Sequence, residues 1–252
     1  MVALLGCDAT AETVGEASMA IRKGLMRGGV ARPRGFSTGR DLDAGRIMLM
    51  GDSLTKGNHT PSKDGWRRSF HIGLITAGVR HSLVGGIEGD GNGGGTLVYP
   101  DNRHEGYGSN SIAELTARVH TRFGINPADI VVGHLGTVDA AAAADPNDML
   151  DDLSDWIDAV HAEGAPRIVL QQILPQGPPS GGDNQIVIDY NAGMPALVAT
   201  KRAAGVKIVL VDQYAGVTIG DVSTDGVHVT VEWQADIMGA RNVQGVIAVL
   251  GL

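Results

Sequence analysis

The chain reads as an α/β protein built on a mostly parallel, five-stranded sheet with helices on both faces. Three observations predict this. Five short strand-like runs recur along the chain (Ile47–Met50, Val79–Val84, Asp129–Leu135, Arg167–Leu174 and Val206–Asp212), each separated from the next by a segment long enough for a helix. Runs such as Ile47-Met48-Leu49-Met50 are uninterrupted hydrophobics, as expected of strands covered on both faces. The chain also carries 37 glycines in 252 residues, which suits the tight turns and close backbone approaches of such a fold.

The first strand is Ile47–Met50, broken by Gly51, so Asp52 and Ser53 stand where a central strand gives way to a helix. Ligands collect at that carboxyl edge in open α/β sheets. Taken alone, Asp52, Ser53 and Thr55 are also ordinary turn and N-cap residues. Helix signals follow over about 65–78, with Trp66, Phe70, Leu74 and Ile75 expected on one face. After the second strand, Gly85–Gly95 lacks a Gly-Lys-Ser/Thr sequence, which argues for a flexible loop and against a phosphate-binding one. Asn110 or Ser111 caps a helix through Phe123, with Ile112, Leu115 and Val119 inward.

Beyond the third strand, Asp148–Glu163 is helical, with Leu150, Leu153, Trp156, Ile157 and Val160 at i, i+3, i+4 spacing. The fourth strand ends at Pro175 and a loop covers 176–184. A longer helix over about 185–203 is expected to break at Gly193-Met194-Pro195. The last strand leads through a loop to His228, and a terminal amphipathic helix starts near Thr230.

The N-terminal region differs. Val14, Ala17, Ile21 and Leu25 suggest a helix over 9–27, weakened by Gly15 and Gly24. Gly28–Gly45 is rich in Gly, Arg, Pro and Ser around Arg32-Pro33-Arg34. Residues 1–45 thus read as an arm or linker and 46–252 as the main domain. The charges support the division, since residues 1–46 carry net +2 and residues 47–252 net −10. Such an arm suits attachment to a protein partner or to another copy of the chain.

The formal net charge of −8 argues against a nucleic-acid partner. A single cysteine, Cys7, excludes an internal disulfide. Leu4-Leu5-Gly6-Cys7 looks like the end of a lipoprotein signal but lacks a basic segment and a long enough apolar run. No stretch approaches the ~20 apolar residues of a membrane span. No export signal is read, which leaves a cytoplasmic site or an extracellular or virion-associated one reached by another route.

Serine-based acyl transfer needs a nucleophile, a base to take its proton, an acid to orient the base, and donors for the oxyanion. Asp225-Gly226-Val227-His228 can supply the acid and the base from one loop, after the last strand and before the terminal helix. An Asp-x-x-His alone is commonplace. Combined with Gly51-Asp52-Ser53-Leu54 after the first strand, it points to Ser53 as their partner.

The sequence resembles the SGNH (GDSL-type) hydrolases, in particular the acetyl-xylan-esterase-like branch of the carbohydrate esterases. The resemblance covers about residues 46–245. It rests on Gly51-Asp52-Ser53-Leu54-Thr55, His104-Glu105-Gly106-Tyr107-Gly108-Ser109, Gly136-Thr137-Val138-Asp139 and Asp225-Gly226-Val227-His228, in the family's order. It implies a three-layer α/β/α, flavodoxin-like sandwich. It also implies a cofactor-independent serine esterase acting on an acylated carbohydrate, with Ser53 as nucleophile, His228 as general base and Asp225 as its orienting acid. The implied oxyanion hole draws on Ser53, Gly108 and Ser109, and the substrate pocket on Asp52, His104, Tyr107 and Val138.

Two departures stand out. The family's Ser-Gly is Gly108-Ser109 here, which puts its oxyanion glycine position on Ser109; a backbone N–H survives that change if serine tolerates the backbone angles. The family's Gly-x-Asn-Asp reads Gly136-Thr137-Val138-Asp139, so Val138 stands where the oxyanion asparagine is expected. Losing one such donor typically costs about 10²–10³ in rate. A second reading follows, in which the chain is a carbohydrate-binding or structural module of a larger assembly with little turnover.

The remaining histidines (His59, His71, His81, His120 and His161) show no metal-ligand spacing, and Cys7 is remote, so no metal site is expected. His134, near Val138, is either a satisfied core residue or a replacement oxyanion donor. Trp66, Tyr99 and Tyr107 are candidates for stacking on a sugar ring, although Trp66 at helical spacing suits the core. Asp52 and Asp139 suit structural acceptors better than catalytic acids.

Overall fold

The computed structural model describes residues 42–57, 59–89, 102–164, 166–222 and 224–252. Residues 1–41 of the expected arm, including the helix expected over 9–27 and Cys7, as well as Tyr99 and much of the glycine-rich segment, lie outside the described residues.

β1 (Asp43–Gly51) is the hub of the sheet. It pairs in parallel with β2 (Arg80–Val84) and β5 (Ile130–His134), and β5 continues through β6 (Arg167–Gln171) to β7 (Ile208–Val211). These are the five expected strands, in the spatial order β2-β1-β5-β6-β7. Two more were not foreseen. β4 (Arg103–Gly106) pairs with the end of β1, Met50 opposite Glu105 and Gly51 opposite Gly106, and β3 (Ile87–Glu88) pairs antiparallel with β4. Among the described residues the sheet therefore has seven strands. The additions are too short, and too rich in Arg, His and Glu, to stand out as apolar runs. β1 also starts at Asp43, before the expected apolar segment.

Because side chains alternate along a strand, β1 feeds two cores. Ile47 and Leu49 face one side and pack with Trp66, Phe70 and Leu74 and with Met238, Val243 and Val246. Met48 and Met50 face the other, against Ile112, Leu115, Leu153, Trp156 and Tyr190. All four β1 side chains are fully buried, each worth roughly 1.5–3 kcal/mol relative to exposure. This is the expected α/β/α sandwich.

The helices that cover the sheet mostly follow the predicted spans. α1 (Ser53–Lys56) is one turn and α2 (Arg67–Thr76) follows it; Ile75 is 60% exposed and does not join the buried face. Ser111 and Glu114 form a capping box at the start of α3 (Ile112–Thr116). The expected single helix stops there, with the Thr116 hydroxyl donating to Ile112 O at 2.9 Å, and resumes as α4 (Val119–Ile125). α5 (Thr137–Ala141) is a short helix after β5, and Asp145 caps α6 (Pro146–Ala162).

α7 (Asn184–Ala203) runs unbroken through Pro195, contrary to the expected interruption. Proline removes the N–H that would meet the carbonyl four residues earlier. Gln172 Nε2 donates to that carbonyl, Asn191 O, at 3.0 Å. The orphan acceptor is thus satisfied from outside the helix. α8 (Glu232–Leu250) closes the chain, and no described helix is long and apolar enough to cross a membrane.

Candidate active site

β1 delivers Ser53 to the carboxyl edge of the sheet. Gly51 is required there, since a Cβ at this position would collide with His134 O and the Thr55 hydroxyl. Asp52, fully buried, caps α1 by accepting from Leu54 N at 2.8 Å. Burial alone would raise the Asp52 pKa, but the His134 ring, Thr137 and the Leu54 N–H hold it below the usual carboxylate value. Ser53 is half-buried and opens α1, so its own N–H has no intrahelical acceptor.

The Asp225–His228 turn meets Ser53 from the far end of the chain. Asp225 Oδ1 accepts from Val227 N at 2.9 Å and His228 N at 3.0 Å, curling the backbone around the carboxylate. Gly226 (φ +80°) makes the turn possible, and a Cβ there would clash with Gly177 O. The 177–181 loop grips the same turn through Gly177 N to Gly226 O and Ser180 N to Asp225 O, both 2.9 Å.

The turn leaves Asp225 Oδ2 2.7 Å from His228 Nδ1, and His228 Nε2 2.7 Å from Ser53 Oγ. With the Nδ1 proton donated to Asp225, Nε2 presents a lone pair to the serine hydroxyl. The arrangement can therefore draw the proton from Ser53 as its oxygen attacks an electrophile. Gly108 lies alongside, its Cβ position 4.0 Å from Ser53 Cβ. Ser109 adopts φ +63°, the left-handed conformation that glycine would favour. Gly108 therefore sits beside Ser53, and Ser109 follows it in a left-handed turn.

Other candidates are placed differently. His104 is fully buried, its Nε2 2.7 Å from Gly89 O and its Nδ1 accepting from Gly106 N at 2.9 Å, so it shapes the motif loop from beneath instead of lining the pocket. Tyr107 donates to Glu105 Oε2 at 2.5 Å, and Arg118 covers its ring at 4.2 Å from the centroid. Burial and the Glu105 carboxylate push the Tyr107 hydroxyl pKa upward. That ring face is not free to stack on a sugar. Val138 is half-buried in α5, where its side chain offers no hydrogen bond. His134 is fully buried with Nδ1 3.7 Å from Asp52 Oδ2, inside the core and not on the pocket wall with Ser53 and His228. Trp66 is likewise core.

His59 is the residue that sequence reasoning missed. Its ring stacks on His228, centroids 3.5 Å apart and planes 14° from parallel. Partial desolvation against the neighbouring residues, followed by the charge of His228, holds its pKa below the ordinary histidine value. Arg67, fully buried, braces the loop that carries it by donating to Lys56 O at 3.1 Å, Lys63 O at 3.3 Å and Gly89 O at 3.0 Å. His59, Asp225 and His228 bring potential metal-ligand atoms within 4.8 Å of one another, a grouping that the sequence spacing of the histidines did not suggest. No spacing rule links residue 59 to residue 228; only the path of the loop does.

No family model matches the chain. No curated protein sequence matches it either. Solved structures do. It superposes on a family 3 carbohydrate esterase from Clostridium thermocellum with TM-score 0.70 and 23% identity, covering 82% of this chain and 96% of that one. A carbohydrate esterase of family 3 from Talaromyces cellulolyticus gives TM-score 0.70 and 20% identity over 82% and 98% of the two chains. A member of the lipolytic G-D-S-L family from Veillonella parvula gives TM-score 0.57 and 17% identity over 80% and 97%. At these identities the likeness is one of architecture, and the chain carries the α/β/α fold of the SGNH (GDSL-type) hydrolases.

Proposed function

We propose that this chain is a serine ester hydrolase that removes acetyl or another short acyl group from a carbohydrate. The observation that carries the reading is the continuous relay Ser53–His228–Asp225, with both links at 2.7 Å. Ser53 Oγ attacks the ester carbonyl while His228 Nε2 takes its proton, and Asp225 stabilises the imidazolium that forms. The tetrahedral oxyanion faces the Ser53 N–H and the backbone of Gly108-Ser109. Collapse breaks the bond to the sugar oxygen, which leaves with the proton from His228. Water then attacks the acyl-serine with His228 again as base, releasing the carboxylic acid and restoring Ser53.

The carbohydrate assignment draws on the motif blocks and on the family 3 carbohydrate esterases whose fold the chain shares. Asp52, His104, Tyr107 and Val138 belong to the walls and supports of this site under the proposal, Val138 alone being near the position of a missing oxyanion donor. The N-terminal arm serves attachment to a partner or a second copy. The test is a panel of chromogenic esters of increasing acyl length together with acetylated oligosaccharides. Acetyl esters should be hydrolysed fastest, with a burst and with irreversible loss of activity on treatment with an organophosphate.

Val138 favours a second reading, a binding module with this fold and little turnover, because its side chain cannot donate where the family pattern has asparagine. Absence of turnover on every ester, combined with retained binding of an acetylated oligosaccharide, would select it.

A further inference from the structure

We propose that His59, His228 and Asp225 form a binding site for a divalent transition-metal ion of the zinc type, and that occupancy shuts the active site down. The chemistry of the donors matches such an ion. Zinc takes imidazole nitrogen and carboxylate oxygen, commonly with three protein ligands and a water in the fourth position. Two imidazoles and one carboxylate bring their donor atoms within 4.8 Å of one another. At metal–ligand distances of about 2.0–2.2 Å, tetrahedral donors stand roughly 3.4 Å apart, so the 2.7 Å His228 Nδ1–Asp225 Oδ2 pair must part slightly, and His59 must leave its stack on the His228 ring to aim a nitrogen at the ion. His59 can supply that movement. It is exposed, and rotation of an exposed side chain between wells is cheap, whereas the Asp225–His228 turn is fixed by its backbone bonds.

Inhibition follows from the nitrogen that the ion must use. Asp225 Oδ2 lies 2.7 Å from His228 Nδ1, so an ion shared by the two residues sits on Nδ1 in place of the proton between them. A neutral imidazole that ligates through Nδ1 carries its proton on Nε2, which then offers no lone pair to Ser53 Oγ. No base remains for the serine. The ion is bound without chemical change, so removal by a chelator restores the site. His59 is what distinguishes this site from a bare Ser-His-Asp arrangement, since it lies on the His228 ring and brings a third donor to the pair.

The inhibitory consequence rests on the esterase proposal, but binding does not, and the experiment separates them. Zinc binding is measured by calorimetry on the full-length Ser53→Ala protein, which keeps all three ligands and turns over no ester. One zinc ion per chain should bind, and adding His59→Ala should weaken it about tenfold or more, since even loss of a residue that only supports a ligand costs about 10–100-fold. His59→Gln is measured alongside to control for folding of the loop. In the wild type, the ratio of ester turnover in zinc to turnover in chelator should fall well below one, and His59→Ala should return it toward one; any change in basal rate cancels in the ratio. Zinc binding that is absent in Ser53→Ala, or indifferent to both His59 substitutions, overturns the proposal. Zinc binding without any ester turnover upholds the site and removes the esterase reading instead.

Discussion

Ser53 Oγ and His228 Nε2 are 175 residues apart in the chain and 2.7 Å apart in space. The cap that holds α1 in place is Asp52, not Ser53. Ser53→Ala should therefore abolish hydrolysis of short acyl esters and leave the unfolding midpoint close to wild type. Turnover at the wild-type level would place the nucleophile elsewhere.

Asp225 has two jobs in this turn, one oxygen holding the backbone of Val227 and His228 and the other holding the ring. Asp225→Asn can keep the first, but its amide can donate to Nδ1 and favour the wrong tautomer, so a loss of up to about 10⁴ in kcat is expected. Asp225→Ala loses both jobs and should also lower stability. His228→Ala removes the proton acceptor itself and should cost at least as much activity as either.

Asp139 is shifted in the opposite direction to Asp52. Burial raises its pKa despite the bond from Ile112 N at 3.1 Å, with Asp152 and Asp52 adding like charge. A raised folded pKa means that the native state loses stability as pH rises from the unfolded-state pKa through the folded one; below both, no penalty remains. Asp139→Asn mimics the protonated form and retains an acceptor for Ile112. It should be more stable than wild type toward denaturant at neutral pH, with the gap closing as pH falls below about 4. A less stable variant at pH 7 would show that the buried carboxylate is net favourable.

β1 makes the boundary of the arm testable. Arg80 N donates to Leu42 O at 2.9 Å, and Arg46 N to Asp129 Oδ2 at 2.8 Å, so the sheet engages the chain before the apolar run begins. Removal of residues 1–41 should leave folding and ester turnover intact. Removal of residues 1–46 should lower the unfolding midpoint, since Asp43 and Gly45 pair with Arg80 and His81. Failure of the shorter truncation to fold would show that the arm is part of the domain.

What could be read in advance followed physical signal strength. Ile47–Met50 and Ile130–Val132 are apolar because both faces of their strands are covered, so the parallel sheet was legible. β3 and β4 were not, because two and four residues carry too little pattern. Pro195 misled because its satisfying donor, Gln172, lies on a different segment. At the site, Ser53, Asp225 and His228 were legible as motif residues in the right order. His59 was not, since stacking on a ring from a distant loop leaves no periodicity. His104 sits in a motif yet is buried beneath it, bonded to Gly89 O and Gly106 N, which spacing alone could not separate from a pocket wall.

Val138 sets the final expectation. It is half-buried in α5, and the other position from which a replacement donor was anticipated, His134, is inside the core beside Asp52. Under the esterase proposal, the oxyanion is left to the backbone N–H groups of Ser53 and the Gly108-Ser109 turn. Val138→Asn adds an amide that meets charge developing only in the transition state, so kcat should rise with little change in KM. The gain is bounded by about 10²–10³, and falls short of that if the surroundings do not hold the amide in place. The unfolding midpoint decides how a null result is understood. An amide left unpaired beside the core costs roughly 1–3 kcal/mol, so unchanged turnover with a lowered midpoint means that the backbone donors already suffice. Faster turnover at an unchanged midpoint means that the wild-type enzyme is limited by the missing donor. If neither the wild type nor Val138→Asn hydrolyses any ester, the relay of Ser53, His228 and Asp225 is not used for turnover, and the binding-module reading replaces the esterase one.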